Sequence, residues 1–234
     1  MTNQPADAFF AAWRTYRKIV DADYMSHREI GARVEATLRS AFGDEGFSIL
    51  DLGCGDASVF APHLSRLRPR RYVGVDLSET ALGLAAENLK VLPCPATLRR
   101  EDLLAALDAS EERFDVIHTS FALHHLATEQ KAEFFHRAAA RLADGGLLLM
   151  TDVIREEDET LPVYHAHYVE WLRRDWSALT PDECESTCAH LVENDKPETF
   201  STLQAQAREA GLEATPVAAF RWHKLVSFTR PHAA

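Results

Sequence analysis

Apolar residues recur at helical spacing through the first forty positions of the chain. The stripe runs over residues 6–42, with steps of three and four, and is interrupted near Tyr24. Its members are Phe9, Phe10, Trp13, Tyr16, Arg17 and Val20 before the break, and Ile30, Val34, Leu38 and Ala41 after it. This period is that of an amphipathic α-helix. The sequence therefore predicts two N-terminal helices that precede any strand.

The pattern changes at Ser48, where short apolar runs begin to alternate with helical stretches. Runs that are apolar at consecutive positions are typical of parallel strands buried on both faces. The predicted strands are 49–52, 72–75, 97–98, 116–117 and 147–150. Helices fit between them at about 59–67, 79–89, 103–107 and 129–142. This alternation predicts an α/β protein with a doubly wound, Rossmann-like sheet.

A polar and aromatic segment interrupts the alternation at 155–199. It starts with five charged residues and continues with aromatic and histidine residues over 164–171. We expect a helical insertion here, followed by a helix ending at Gly211 and two last strands, for seven mostly parallel strands in all. The predicted single domain, 1–234, comprises an N-terminal helical cap (1–46), a cofactor-binding core (47–154), a lid insertion (155–199) and a last helix with two strands (200–234).

Composition and charge narrow the class of protein. The 234 residues are 46% hydrophobic and 26% charged, which indicates one globular domain and excludes a disordered chain or a fibre. No apolar run reaches the roughly 20 residues of a membrane span. The net charge of −11 comes without a basic patch, so nucleic acid is not an expected partner. Without a secretory signal or disulfide spacing, the sequence predicts a cytoplasmic protein with free thiols and no membrane contact.

A glycine-containing turn directly follows the first predicted strand. Residues 49–57 read ILDLGCGDA, and the missing Cβ atoms of Gly53 and Gly55 let a ligand approach the backbone. The third glycine of the dinucleotide fingerprint is absent, and Asp56 stands where it would repel a pyrophosphate. The turn therefore favours a ligand without phosphates.

Further polar residues fall where the following strands end. Asp76 lies 21 residues after Gly55, an offset at which a carboxylate can accept both hydrogen bonds of a ribose diol. Asp102 follows the third strand and Ser120 ends the fourth, while His118 is expected to pack in or near the sheet. Because open α/β sheets bind ligands at the carboxyl ends of their strands, we expect one site at this edge.

The ordered set DLGCG, GVDLS, EDL, FDVIHTSFALHHL and LADGGLLLMTDV resembles the class I S-adenosylmethionine-dependent methyltransferases, and the small-molecule branch in particular, over residues 48–153. The resemblance implies S-adenosyl-L-methionine as cofactor and transfer of its methyl group to a small-molecule acceptor by in-line displacement. It also implies a set of cofactor-binding residues. They are Asp51, Gly53 and Gly55 at the methionine part, Asp76 and Leu77 at the ribose, Asp102 and Leu103 at the adenine, and Ser120 with His125 near the sulfonium.

Two residues at the break between the N-terminal helices are further candidates for cofactor binding. In many of the resembled enzymes an N-terminal helix folds over the cofactor, so Tyr24 or Arg28 would contact the methionine carboxylate, Arg28 through a bidentate pair. An ordinary corner between two helices, with a solvated arginine, explains the same residues equally well.

The candidate catalytic residues are His124, His125, Tyr164, His165 and Tyr168. Aromatic rings bury area and attract a cation, while hydroxyls and imidazoles fix the orientation of an acceptor. If the acceptor ionises near neutral pH, one histidine would take its proton. Two alternative interpretations remain open. The two adjacent histidines could have a structural role, and the insertion could be a plain amphipathic helix.

The remaining expectations concern metal, assembly and other functions. Cys184 and Cys188 share a helix face with His190 nearby, but this set has too few ligands, so no metal is predicted. A monomer or a homodimer is expected. The alternatives are a nicotinamide-dependent oxidoreductase, which the turn disfavours, and a catalytically inactive cofactor-binding partner protein, which the aromatic insertion disfavours.

Overall fold

The computed structural model describes residues 4–109 and 111–231, with side chains from Trp13 onward. The strands are β1 (Phe47–Leu52), β2 (Pro69–Asp76), β3 (Ala96–Arg100), β4 (Phe114–Ser120), β5 (Leu142–Val153), β6 (Glu213–Phe220) and β7 (His223–Thr229). The helices are α1 (Gln4–Asp21), α2 (His27–Phe42), α3 (Ala61–Leu64), α4 (Glu79–Asn88), α5 (Leu103–Asp108), α6 (Thr128–Arg141), α7 (Leu161–Asp175), α8 (Pro181–Asn194) and α9 (Phe200–Glu209). Each predicted strand and helix is present, with ends shifted by a few residues.

The seven strands form one sheet in the order β3-β2-β1-β4-β5-β7-β6. Neighbours from β3 to β5 pair in parallel, whereas β7 pairs antiparallel with both β5 and β6. This confirms the predicted seven-stranded, mostly parallel, Rossmann-like sheet. The strand order reverses direction between β1 and β4, so the crevice beside these two strands is where a doubly wound sheet binds a ligand.

Alternate residues of each central strand enter two different cores. On β1, Leu50 and Leu52 pack with α5, α6 and α9, whereas Phe47 and Ile49 pack with α2, α3 and α4. Burial on both faces explains why the parallel strands read as continuous apolar runs in the sequence. Among the described helices, none has the length and apolar character needed to cross a membrane.

The predicted insertion consists of the two helices α7 and α8. A bridge between Arg155 and Thr199 joins the start and the end of the segment. Its aromatic residues are buried with parts of α1 and of the β6–β7 hairpin, and we call this group the aromatic cluster. It contains Ile19, Val153, Tyr164, Tyr168, Trp171, Leu172, Trp176, Cys188, Leu191 and Trp222.

Candidate active site

The turn after β1 is held by backbone hydrogen bonds and by its glycines. Gly53 and Cys54 donate their N–H groups to the carbonyl of Val75, at 2.8 and 3.0 Å. Gly53 has a φ of +72°, and a Cβ there would lie 2.7 Å from the Cβ of Ala122. Gly55, at φ +53°, faces open space. Glycine is therefore required at 53, while at 55 it leaves room beside the backbone.

Asp76 fixes this turn from the end of β2. One carboxylate oxygen accepts the N–H of Gly55 at 2.9 Å, and the other accepts the N–H of Ser78 at 2.8 Å. The side chain is half-buried, and each oxygen keeps a lone pair for another donor. The carboxylate is thus oriented to receive hydroxyl groups from a ligand above the turn.

Asp51 is a buried carboxylate beneath the same turn. It accepts a hydrogen bond from the Tyr72 hydroxyl at 2.6 Å, and its other oxygen lies 2.7 Å from Nδ1 of His118. The ring of His118 stacks on Phe60 at 4.0 Å between centroids. His118 packs inside the sheet, as the sequence predicts. These contacts position Asp51 through the core.

A cavity lies between the turn, the end of β4 and the two N-terminal helices. Its lining includes four predicted cofactor residues, namely Asp51, Gly53, Gly55 and Ser120, and also includes Tyr16, His27, Phe121 and Thr151. Two non-glycine lining residues, Ala57 and Phe121, have a positive φ of 55° and 52°. Strained backbone of this kind concentrates at ligand sites.

Helix α1 closes over the turn by two polar contacts. Nε1 of Trp13 donates to the carboxylate of Asp56 at 3.1 Å, and Arg17 donates to the Ser58 hydroxyl at 3.0 Å. Asp56, the acidic residue of the turn, is therefore turned towards the cap helix. Trp13 and Arg17 were predicted only as parts of a helical stripe.

His27 is a cavity residue that sequence reasoning missed. The residue is 5% exposed, and neither ring nitrogen has a hydrogen-bond partner among the described residues. It lies beside Tyr16 and Phe121, with ring centroids 6.4 and 5.3 Å away. Burial lowers the pKa of His27 to about 4, so the ring is neutral near pH 7. A histidine at the start of a helix carries no signal of this role in one sequence.

The other predicted cofactor residues lie outside the cavity, where β2 and β3 end. Leu77 is 67% exposed and Leu103 is half-buried. The Asp102 carboxylate caps α5 by accepting the N–H groups of Leu104 and Ala105, at 2.9 and 3.1 Å. Contact of these residues with an adenine stays a prediction.

Tyr24 and Arg28 do not line the cavity. Tyr24 stacks on Trp176 at 5.0 Å, and its hydroxyl accepts the N–H of Ala178 at 2.8 Å. Arg28 is exposed and donates to the carbonyl of Asp21 at 2.8 Å. The structure therefore shows the helix corner that was the alternative, and contact with a cofactor carboxylate stays a prediction.

The three predicted catalytic residues of α7 lie behind the cavity wall. The hydroxyl of Tyr168 is 2.8 Å from Nε2 of His223, whereas the buried hydroxyl of Tyr164 has no partner among the described residues. Nε2 of His165 is 3.0 Å from the carbonyl of Asp195. Phe121 connects the regions, because it packs against the aromatic cluster and also lines the cavity.

His124 and His125 form a short 3₁₀ turn after β4, outside the cavity lining. Nδ1 of His124 is hydrogen-bonded to Asp152, and the Asp195 carboxylate lies near both rings. Burial opposes the charge of His124, but Asp152 and Asp195 raise its pKa. Burial and the neighbouring His124 lower the pKa of His125 to about 4. The structure thus brings these two histidines next to Asp195.

Residues 49–146 match the sequence model of a family described as "Methyltransferase domain". The chain is 26% identical over 136 residues to a ribosomal protein L11 methyltransferase of Thermosipho africanus, which covers 57% of this chain and 48% of that protein. It is 31% identical over 158 residues to a ubiquinone biosynthesis O-methyltransferase of Chelativorans sp., which covers 64% and 60%. The chain thus spans about half to two thirds of the length of these curated relatives.

Solved structures share the fold over nearly the whole chain. Magnesium protoporphyrin IX methyltransferase from Synechocystis with bound SAH superposes with a TM-score of 0.66 at 18% identity, covering 96% of this chain and 94% of that one. A DhpI–SAH complex has a TM-score of 0.59 at 14% identity, covering 95% and 96%. Residues 49–146 thus match a methyltransferase domain, and the chain shares the fold of these SAH-bound methyltransferases.

Proposed function

We propose that the protein transfers a methyl group from S-adenosyl-L-methionine to a small-molecule acceptor. The observation that carries this is the glycine turn fixed by Asp76 at the end of β2, with a cavity directly beside it. The relatives named as ubiquinone O-methyltransferases and the SAH-bound structures support the same reaction.

The residues present fit this cofactor. Gly55 leaves open space beside the backbone, and the Asp76 carboxylate retains lone pairs for a ribose diol. The cavity also contains buried polar atoms with no partner in the described part of the chain, namely both nitrogens of His27 and the hydroxyl of Thr151. Such atoms are costly unless a ligand or water satisfies them. When bound, the cofactor supplies a methyl group on a positively charged sulfur.

The chain's own groups position the reactants and exclude water. The turn holds the cofactor side, while Tyr16 and Phe121 provide apolar walls opposite it. Correct placement of two reactants contributes roughly 7–11 kcal/mol to lowering a bimolecular barrier. A neutral His27 presents a nitrogen lone pair in this cavity, which can accept a hydrogen bond from the acceptor.

The five predicted catalytic residues lie in two places, three on α7 and two in the turn after β4. We propose that Tyr164, His165 and Tyr168 form the lid that backs the acceptor wall through Phe121. His124 and His125 belong to the adjoining turn after β4. The net charge of −11 disfavours nucleic acid as a partner. We further propose a cytoplasmic enzyme that acts on a small molecule as a monomer or homodimer.

Titration calorimetry with S-adenosylmethionine and its demethylated product tests the proposal. We expect binding of both, weakened about tenfold or more in Asp76→Ala, because charge-assisted hydrogen bonds contribute about 1.5–3 kcal/mol. Asp144→Ala, at a fully exposed carboxylate far from the turn in sequence, is the matched control and should bind as the wild type does. Lack of binding at about 100 μM ligand, a weak metabolite affinity, would exclude the proposal.

The same preparation separates the alternatives. A nicotinamide-dependent oxidoreductase would bind NADH in a fluorescence titration, and a catalytically inactive binding protein would bind the cofactor without turnover over a broad acceptor panel. No specific observation in the fold or the site favours either one.

A further inference from the structure

Three ligating side chains meet beyond the end of β4, outside the cavity. Nε2 of His124 lies 3.6 Å from Oδ1 of Asp195, and Nδ1 of His125 lies 3.5 Å from the same oxygen. The three ligating atoms all lie within 4.8 Å of one another. These spans exceed a hydrogen bond, so the two rings surround the oxygen without binding it.

The Asp195 carboxylate is buried, and one of its oxygens lacks a hydrogen bond within the part of the chain that the structure describes. The residue is 8% exposed, and its Oδ1 has no hydrogen-bond partner among the described residues. An ionised carboxylate in such a place needs a cation or a donor to offset its lost hydration.

His124 is oriented as metal-binding histidines are. Its Nδ1 is hydrogen-bonded to Asp152, which leaves Nε2 directed at Asp195. Asp152 is itself fixed, since it accepts the N–H groups of Leu123 and His124 at 2.9 and 3.1 Å. A carboxylate on the far ring nitrogen of a histidine is the usual outer support of a metal ligand, because it sets the tautomer and raises basicity.

We propose that Nε2 of His124, Nδ1 of His125 and Oδ1 of Asp195 bind one divalent transition-metal ion of the zinc class. Two imidazoles and one carboxylate are ligands that this class prefers. The proposal is independent of methyl transfer, because none of these residues lines the cavity.

The two distances from the histidine nitrogens to Asp195 suit such an ion, and the two nitrogens lie within 4.8 Å of each other. A tetrahedral ion with bonds of about 2.0–2.1 Å places its ligand atoms about 3.4 Å apart. The two spans to Asp195 are 3.6 and 3.5 Å. The side chain of His125 is 42% exposed, which provides a route for the ion. The fourth coordination position of the ion would be filled by water or by His190, whose ring centroid is 5.8 Å from that of His125.

The ion would join the insertion to the sheet. Asp195 directly follows α8, whereas both histidines belong to the segment after β4. A single backbone hydrogen bond, from the N–H of Lys196 to the carbonyl of His124 at 2.8 Å, already links these segments. Lys131, a buried cation nearby, donates instead to the carbonyls of Leu126 and Lys196. A bound ion would therefore stabilise the docking of α8 on the core.

The test uses the untagged full chain, stripped with a chelator, incubated with Zn²⁺ and passed through gel filtration. We expect about one zinc per chain by mass spectrometry of the metal, and a thermal midpoint that rises with zinc concentration. Co²⁺ in place of zinc should give the visible absorption of a nitrogen- and oxygen-ligated ion.

Two variants and a control decide the assignment. His125→Ala and Asp195→Asn should each lower zinc affinity at least tenfold and remove the thermal response, whereas His136→Ala, at an exposed histidine of α6, should retain both. His125 is half-exposed, so its variant is expected to fold even if Asp195→Asn does not. Overturning results are a wild type with no zinc above the level of the His125→Ala variant, or a His125→Ala variant that binds zinc as the wild type does. Either result would overturn the assignment of these three ligands.

Discussion

The turn after β1 and the aromatic cluster stand at opposite sides of Phe121, and they are built by different means. The turn is held by backbone groups, such as the N–H of Gly55 on Asp76 and those of Gly53 and Cys54 on Val75. The cluster is held by side-chain rings from distant parts of the chain, such as Tyr168 against Trp222 at 5.1 Å. One surface offers open backbone to a ligand, and the other encloses its polar groups in apolar packing.

The difference teaches which part of a site a short sequence motif determines. A turn made by consecutive residues depends on glycines and on one carboxylate from the next strand, so substitution there should act on binding. A cluster assembled from α1, α7 and the β6–β7 hairpin depends on packing, so substitution there should act on stability.

Gly53→Ala should have the largest effect. The positive φ and the 2.7 Å approach to Ala122 each cost about 1–3 kcal/mol for a residue with a side chain, so we expect the unfolding free energy to fall by about 3 kcal/mol. Cofactor affinity should fall with it. Gly83→Ala is the control, because a Cβ there meets nothing within 4 Å and alanine favours the helix by about 0.5–1 kcal/mol. Urea denaturation and calorimetry measure both; equal stability of the two variants would contradict the reasoning.

Acid should destabilise both regions through buried neutral histidines. Burial lowers the pKa of His27 to about 4 and that of His223 to about 3, against 6.5 in the unfolded chain. The unfolded chain therefore binds more protons as the pH falls below 6.5, and stability is lost progressively towards the folded values. For His27 alone the loss between pH 7 and pH 5 is about 2 kcal/mol.

Urea denaturation at these two pH values measures that loss. His27→Leu should remove about 2 kcal/mol of the pH dependence, because it removes the group that the unfolded chain protonates between these two pH values. His136→Ala, at an exposed histidine, should leave the dependence unchanged. A His27→Leu variant with the full wild-type dependence would show that the histidine is not neutral in the folded protein.

Two tyrosines of the cluster should respond in opposite directions. Tyr168→Phe removes the hydroxyl near Nε2 of His223 and leaves a buried nitrogen unpaired, so stability should fall by about 1–2 kcal/mol. Tyr164→Phe removes a buried hydroxyl that has no hydrogen-bond partner within the described ranges of the chain, so stability should stay equal or rise by about 1 kcal/mol. Thermal unfolding distinguishes them. If Tyr164→Phe instead lowers turnover with unchanged cofactor affinity, the Tyr164 hydroxyl binds the acceptor.

Arg28→Ala should have the smallest effect. Its guanidinium is exposed and donates to the carbonyl of Asp21, so we expect cofactor affinity to change less than twofold and stability by less than about 0.5 kcal/mol. Calorimetry of Arg28→Ala beside wild type checks this. A tenfold loss of affinity would instead support the bidentate contact that the sequence suggests.

The sequence predicted the sheet well because burial on both faces makes each central strand a continuous run of apolar residues. It also predicted that Gly53, Gly55 and Ser120 share one edge, since strand ends of a parallel sheet must meet there. It could not predict His27, because cavity lining by a helix start depends on how α1 and α2 pack. The sequence also could not predict that Asp195 lies next to His124, because the two residues belong to separate elements and no repeating pattern connects them.

The position of β7 has a consequence for how the polypeptide is made. This strand pairs between β5 and β6, yet it follows every other strand in the chain. Translation releases the N-terminal part first, so a nascent chain carries β5 with one edge unpaired until His223–Thr229 has left the ribosome. That edge is apolar at Leu147–Met150 and is a template for association with other strands. The nascent chain thus needs protection against misassociation until β7 pairs with the open edge of β5.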